Sequence, residues 1–192
     1  FDSIQPHQRA YTLKKNFNRS SFCYDINMRY TIKQPQVSDA LELAKMHNQS
    51  WIETYPNEEF GISKKYIEDR VSGRLSAEGI ERRVAAIESS SSNGTYFLRT
   101  AHDESGRIVG FIDGNLKDDG YWLDGLYTLE STYGTGLGKL LWEAYLPWTK
   151  NNDITLTVAT YNQRAIKFYE KLGFNKIIGS EGTFGDTPIP II

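Results

Sequence analysis

Apolar positions along this chain recur with two periods. From 39 to 51 they fall three and four apart, so Ala40, Leu43, Ala44, His47 and Trp51 share one helical face. Asp39 with Glu42 three residues on reads as a capping box, and Pro56 stops the helix. His47 on that face reads as a hydrogen-bonded core histidine. Helical spacing returns over 63–71 and 76–87, and Ser89–Gly94 is a loop ending in an Asn-Gly turn signal. Segments 95–101 and 107–115 flank Asp103-Glu104-Ser105-Gly106 and predict a hairpin. Asp118-Asp119-Gly120 turns into a third strand over 121–128. A helix over 136–148 puts Leu137, Leu140, Leu141, Ala144, Tyr145 and Trp148 on one stripe. Ile154, Leu156 and Val158 alternate with threonines as a half-buried strand does. Ala165, Phe168, Tyr169 and Leu172 form a last helical stripe, stopped by Gly173. Strands over 174–178 and 184–192 close the order. It predicts an α+β (mixed α/β) fold, with helices on a mostly antiparallel sheet.

Residues 1–27 are polar and irregular, whereas Met28-Arg29-Tyr30-Thr31-Ile32-Lys33 reads as a first strand. The division expected is a leading segment, 1–27, and one domain, 28–192. Two readings of the segment stay open: an upstream remnant, or a native arm burying Phe17, Phe22 and Tyr24 on the domain or on a second subunit of a homodimer.

Composition narrows the classes. The 192 residues suffice for one sizeable core, and 13% aromatic content argues against disorder. A net charge of −2 offers no basic field for nucleic acid or an anionic membrane. No apolar run reaches the length of a span, and no signal-peptide core is seen, so the expected compartment is the cytoplasm. Cys23 alone excludes an internal disulfide, and His7, His47 and His102 lack metal-ligand spacing, so no metal is expected.

The chemistry concentrates in Gly134-Thr135-Gly136-Leu137-Gly138-Lys139, between a strand and a helix. Backbone N–H groups and the helix dipole suit a phosphate there. A P-loop would need a hydroxyl where Leu140 stands, and a dinucleotide fingerprint would need glycine at Lys139. Downstream runs Asn162-Gln163-Arg164-Ala165-Ile166-Lys167-Phe168-Tyr169-Glu170-Lys171-Leu172-Gly173-Phe174. The two stretches, in this order and at this distance, resemble the acetyl-CoA motifs of the GNAT superfamily of N-acetyltransferases. Tyr133 departs from the Gln or Arg of that pattern, which removes one polar side-chain contact to the pyrophosphate.

The resemblance implies acetyl transfer from acetyl-CoA to a small-molecule or peptide amine, with the pantetheine arm lying where the fourth and fifth strands splay apart. Backbone groups of Leu126 and Thr128 would meet that arm, Tyr133, Gly134, Thr135, Gly136, Leu137, Gly138 and Lys139 would hold the pyrophosphate, and Asn162 would touch the pantetheine or simply cap its helix. Tyr169 would protonate the leaving thiolate or else belong to the core. Asp124, two residues before Leu126 and so expected on its face, is the first choice of base. Glu53, Asp113 and a water route compete with it. Trp51, Glu53 and Tyr55 are the expected lining of the acceptor pocket. Arg164, Lys167 and Lys171 read as a solvated face. A CoA-binding domain without turnover is the rival reading.

Overall fold

The computed structural model describes residues 11–13, 29–92 and 94–192, the first three by backbone alone. In chain order the elements are β1 (Tyr11–Leu13), β2 (Thr31–Lys33), α1 (Ala40–Thr54), α2 (Lys64–Ser72), α3 (Ala77–Ser92), β3 (Tyr96–His102), β4 (Ile108–Lys117), β5 (Gly120–Thr128), α4 (Leu137–Tyr145), β6 (Ile154–Leu156), α5 (Gln163–Lys171), β7 (Asn175–Lys176), β8 (Gly182–Thr183) and β9 (Pro190–Ile191). Seven strands form one sheet in the order β2-β3-β4-β5-β6-β1-β7, and β8–β9 is a separate hairpin. Every pair in the large sheet is antiparallel except β5–β6. Tyr11–Leu13 pairs with β6 on one side and, through Tyr11 and Thr12, with β7 on the other. The rest of the leading segment, Phe17, Phe22, Cys23 and Tyr24 included, lies outside the described residues.

Each sheet face carries its own core. On one, Leu137, Leu141, Trp142 and Tyr145 of α4 pack with Ile112, Leu123, Ile154 and Tyr169. On the other, Leu43 and Met46 of α1 and Ile87 of α3 pack on Leu98 and Phe111. A third cluster joins Trp51 to Ile62, Ile67 and Val71 around α2, and to Ile189 and Ile191 at the C-terminal hairpin. Among the described residues no helix is long and apolar enough to cross a membrane.

Several local expectations shift. The capping box sits one turn early: Asp39 accepts from the Gln36 N–H at 2.8 Å, opening a 3-10 turn, while Glu42 pairs with Lys45. The first helix, by contrast, ends where expected: it runs to Thr54 with Tyr55 as its cap, just before Pro56. The helix expected to reach Trp148 is α-helical only to Tyr145, because Pro147 cannot continue the ladder, and a 3-10 turn Leu146–Thr149 follows. Trp142, left out of the expected stripe, is 1% exposed. The strand through Val158 pairs in the sheet only to Leu156, and Val158 instead exchanges two backbone hydrogen bonds with Ile192. That divergence makes the site.

Candidate active site

β5 and β6 pair in parallel register only from Tyr121↔Ile154 to Leu123↔Leu156. A bulge lies just beyond. Asp113 of β4 faces Gly125 and Gly114 faces Leu123, so Asp124 is an extra residue in β5. An extra residue bends its strand and shifts the side-chain alternation. Beyond the bulge the two strands no longer pair. A cavity of about 750 Å³ opens there, lined by Leu126 and Thr128 on one wall and Thr157–Ala159 on the other. The Leu129 N–H donates to Val109 of β4. Alternation therefore turns the backbone groups of Leu126 and Thr128 away from β4, towards the gap. That is the ladder edge expected to meet a pantetheine.

The mouth of the cavity is the glycine turn. Gly134 and Gly136 have φ of 77° and 89°, a left-handed region that side chains other than glycine rarely adopt. Gly136 caps α4 without a side-chain bond, and the Lys139 and Leu140 N–H groups turn back to its carbonyl. The Leu137 and Gly138 N–H groups belong to the first turn, whose donors have no intrahelical acceptor. Tyr133, Gly134, Leu137, Gly138 and Lys139 all border the cavity. Lys139 also reaches Glu143 at 3.6 Å. A Cβ on Gly138 would make ordinary contacts, with Phe168 at 3.5 Å and Leu126 at 3.8 Å, so a methyl group fits there.

Tyr133 does more than replace a polar side chain. The Arg164 guanidinium lies 3.4 Å from its ring centroid, and both residues line the cavity. Arg164, expected on a solvated face, is thus held at the mouth by cation–π stacking. Nothing in the sequence pairs residues 133 and 164; only the fold does. Lys167 and Lys171 border the same opening.

Asn162 caps α5: its Oδ1 accepts the Ala165 N–H at 3.1 Å. It also lines the cavity, so the capping role is realised and its amide nitrogen remains available. Tyr169 sits at the inner end, 8% exposed, with its ring against Phe168 and Phe174. Burial, with a smaller push from Tyr127, holds its phenol well above the ordinary tyrosine range.

The bulge corrects the placement of Asp124. Asp124 borders the cavity as Leu126 does, but its carboxylate does not share the Leu126 face. Leu126 packs into the α4 core, whereas the Asp124 carboxylate accepts from Asn115 Nδ2 at 2.5 Å and Lys117 Nζ at 3.3 Å. Asp113 alternates with Asn115 and Lys117 on that side of β4. Two carboxylates therefore flank Gly125 on the α1 face. Asp113 Oδ1 lies so close over Gly125 that a Cβ there would be 2.5 Å away, and Asp113 Oδ2 accepts from the Tyr96 hydroxyl at 2.9 Å. Burial first, and then the Asp124 charge, push the Asp113 carboxyl up to about 7.

The three residues expected to line the acceptor pocket separate. Tyr55 borders the cavity and its hydroxyl meets that of Tyr127 at 3.1 Å. Trp51 is 2% exposed, with its ring between Tyr55 and Phe184. Glu53 has both oxygens engaged, one by Gln49 and one by the Glu130 N–H at 2.8 Å. No sequence signal singles out Tyr127, which touches both Tyr55 and His47 and so connects the cavity to the α1 face.

The acetyltransferase (GNAT) family profile matches residues 40–174. No curated protein matches the chain. Solved structures do, through the fold. The PaiA N-acetyltransferase of Thermoplasma acidophilum, in complex with coenzyme A, superposes with a TM-score of 0.64 at 22% identity, over 84% of this chain and 95% of that one. A GNAT-family acetyltransferase from Streptococcus pneumoniae gives the same values. An acetyltransferase from Thermus thermophilus gives 0.54 at 16% identity, over 85% and 93%. With the profile spanning most of the domain, the splayed strands and the glycine turn at the head of α4 have a family context: the chain belongs to the acetyltransferase (GNAT) family.

Proposed function

We propose that the protein moves the acetyl group of acetyl-CoA directly to the free amine of an acceptor. The observation that carries this is the open, bulged gap between β5 and β6, with Tyr169 at its inner end and the first-turn N–H groups of α4 at its mouth. The gap leaves a strand edge for the amides of a pantetheine, and the first turn of α4 offers donors to a pyrophosphate. The coenzyme A bound to the Thermoplasma relative is consistent with that use of the fold.

Acetyl transfer to an amine needs a neutral nucleophile and a protonated leaving group. The amine nitrogen bonds to the thioester carbonyl carbon, the carbon–sulfur bond breaks, and the nitrogen loses one proton while sulfur gains one. Asp113 is assigned the proton from nitrogen. A carboxyl near 7 is half ionised at neutral pH and accepts a proton far better than an ordinary aspartate. Asp124, first choice from the sequence, is tied to Lys117 and Asn115, and supports the reaction through its charge on Asp113. Tyr169 is assigned the proton to sulfur and regains one from water. Its pKa is raised, but the same poorly solvated pocket raises that of a departing thiol, so the two remain matched in direction.

Free-thiol release from acetyl-CoA in the presence of an amine panel tests the proposal. Amine-dependent release, with a product heavier by one acetyl group, is expected. Binding of CoA without release for any amine would leave the non-catalytic reading instead.

A further inference from the structure

On the α1 face of β4 and β5, opposite the α4 core, positive charge and hydrogen-bond donors collect. His47 of α1 lies 4.8 Å from both the Phe111 and Tyr127 rings. Its Nδ1 is 2.9 Å from Nη2 of Arg83 on α3. A guanidinium only donates, so Nδ1 accepts and the ring proton sits on Nε2. That Nε2–H is buried without a partner. Arg74, from the turn after α2, stacks 4.2 Å over the Trp51 ring. Burial, then Arg74 and Arg83 together, keep His47 well below the ordinary imidazole range, so it is a neutral donor. Arg83 makes no ion pair with a carboxylate among the described residues. The two acids of α1 are engaged elsewhere, Glu42 with Lys45 and Glu53 with Gln49 and the Glu130 N–H. A buried N–H beside two guanidiniums lacks an acceptor, and supplying one removes the cost of leaving it unsatisfied.

This cluster borders the proposed amine site. Arg83 acts on the Asp113 carboxyl, and Tyr127, in contact with His47, lines the cavity. Resting on the proposed acetyl transfer, we infer that His47, Arg83 and Arg74 form an anion-recognition site for the acceptor, so that the amine entering beside Asp113 and Asp124 carries a carboxylate or a phosphate. Paired acids and paired guanidiniums on one face suit the two ends of such a molecule.

The site is testable without turnover. The full chain, saturated with CoA so that its own phosphate seat is filled, is titrated calorimetrically with acetate and with inorganic phosphate. Saturable binding of at least one is expected, weakened on the order of tenfold in Arg83→Gln and in Arg74→Gln, both of which retain CoA affinity. Equal binding by wild type and both variants, or no saturable binding of either anion, overturns the inference. A second arm compares acceptor KM for an amino acid with that for its amide, and for ethanolamine phosphate with that for ethanolamine. The preferred anionic member tells carboxylate from phosphate, and the preference collapses in Arg83→Gln. Turnover indifferent to the acceptor's charge contradicts the site. Anion binding without acetylation of any amine leaves the site standing and removes the proposed reaction.

Discussion

The two faces of β5 are built by different kinds of information. Towards α4, Leu126 joins an apolar core, and the groups aimed at the gap are backbone, glycine and residues of α5. Apart from Thr54 and Tyr55 they come from two stretches of chain, 123–139 and 157–172. Towards α1, Asp113, Gly125, Tyr127, His47, Arg74 and Arg83 meet from four elements and one turn. The first face offers main-chain donors, which suit the one ligand proposed to be common to the fold. The second is made of side chains brought from far apart, which is where recognition of one particular acceptor can be written.

If that division is right, substitutions on the two faces should fail in different ways. The largest effect is expected at the mouth. Gly138→Glu puts a carboxylate where two helix N–H groups face a phosphate, so CoA-dependent thermal stabilisation should vanish while the protein stays folded. Gly138→Ala, with only ordinary contacts to Phe168, should keep most of it. Loss in both variants would mean that the site depends on packing rather than on charge.

Next comes the α1 face. Asp113→Asn should lower kcat/KM on the order of a hundredfold without changing CoA affinity. In wild type the rate should climb with pH until the carboxyl ionises near 7, and the variant should lose that limb. Stability should move the opposite way. A carboxyl held near 7 in the fold, but near ~3.9 when unfolded, keeps its proton more tightly folded. Its contribution is greatest below the unfolded value and is lost as pH rises to the folded one. Asp113→Asn should therefore melt higher than wild type at pH 8, with the difference gone at pH 4. A lower melting temperature at pH 8 would make Asp113 a structural residue.

At the inner end of the gap, Tyr169→Phe should cost on the order of tenfold or more in kcat, with CoA affinity kept. Since burial raises that phenol, the wild-type rate should show no fall as pH climbs to 10. The smallest effect belongs to the stacked pair at the mouth. Tyr133→Ala and Arg164→Ala should each weaken CoA binding a few-fold, and the double variant should lose little more than either single one. Additive losses would separate the two residues.

The same contrast explains what can be read from the sequence. The helical stripes, the β3–β4 hairpin and the glycine turn are contiguous, so their spacing carries them. Strict alternation puts Asp124 on the wrong face because one bulged residue reverses it and leaves no compositional trace. Asp113 is visible only as one competitor among several, since nothing local says that Tyr96 and Gly125 enclose it. Glu53 looks free for an ammonium because the Glu130 N–H that occupies it lies 77 residues away. Arg164 looks solvated for the same reason: its partner ring is on another element.

Hydrogen exchange with and without CoA probes the division of labour most directly. The account predicts slowed exchange across 124–139 and 157–169, with α1 and α3 unchanged until an acceptor is added. Protection that falls on α1 and α3 with CoA alone, leaving the β5–β6 gap unprotected, would contradict it.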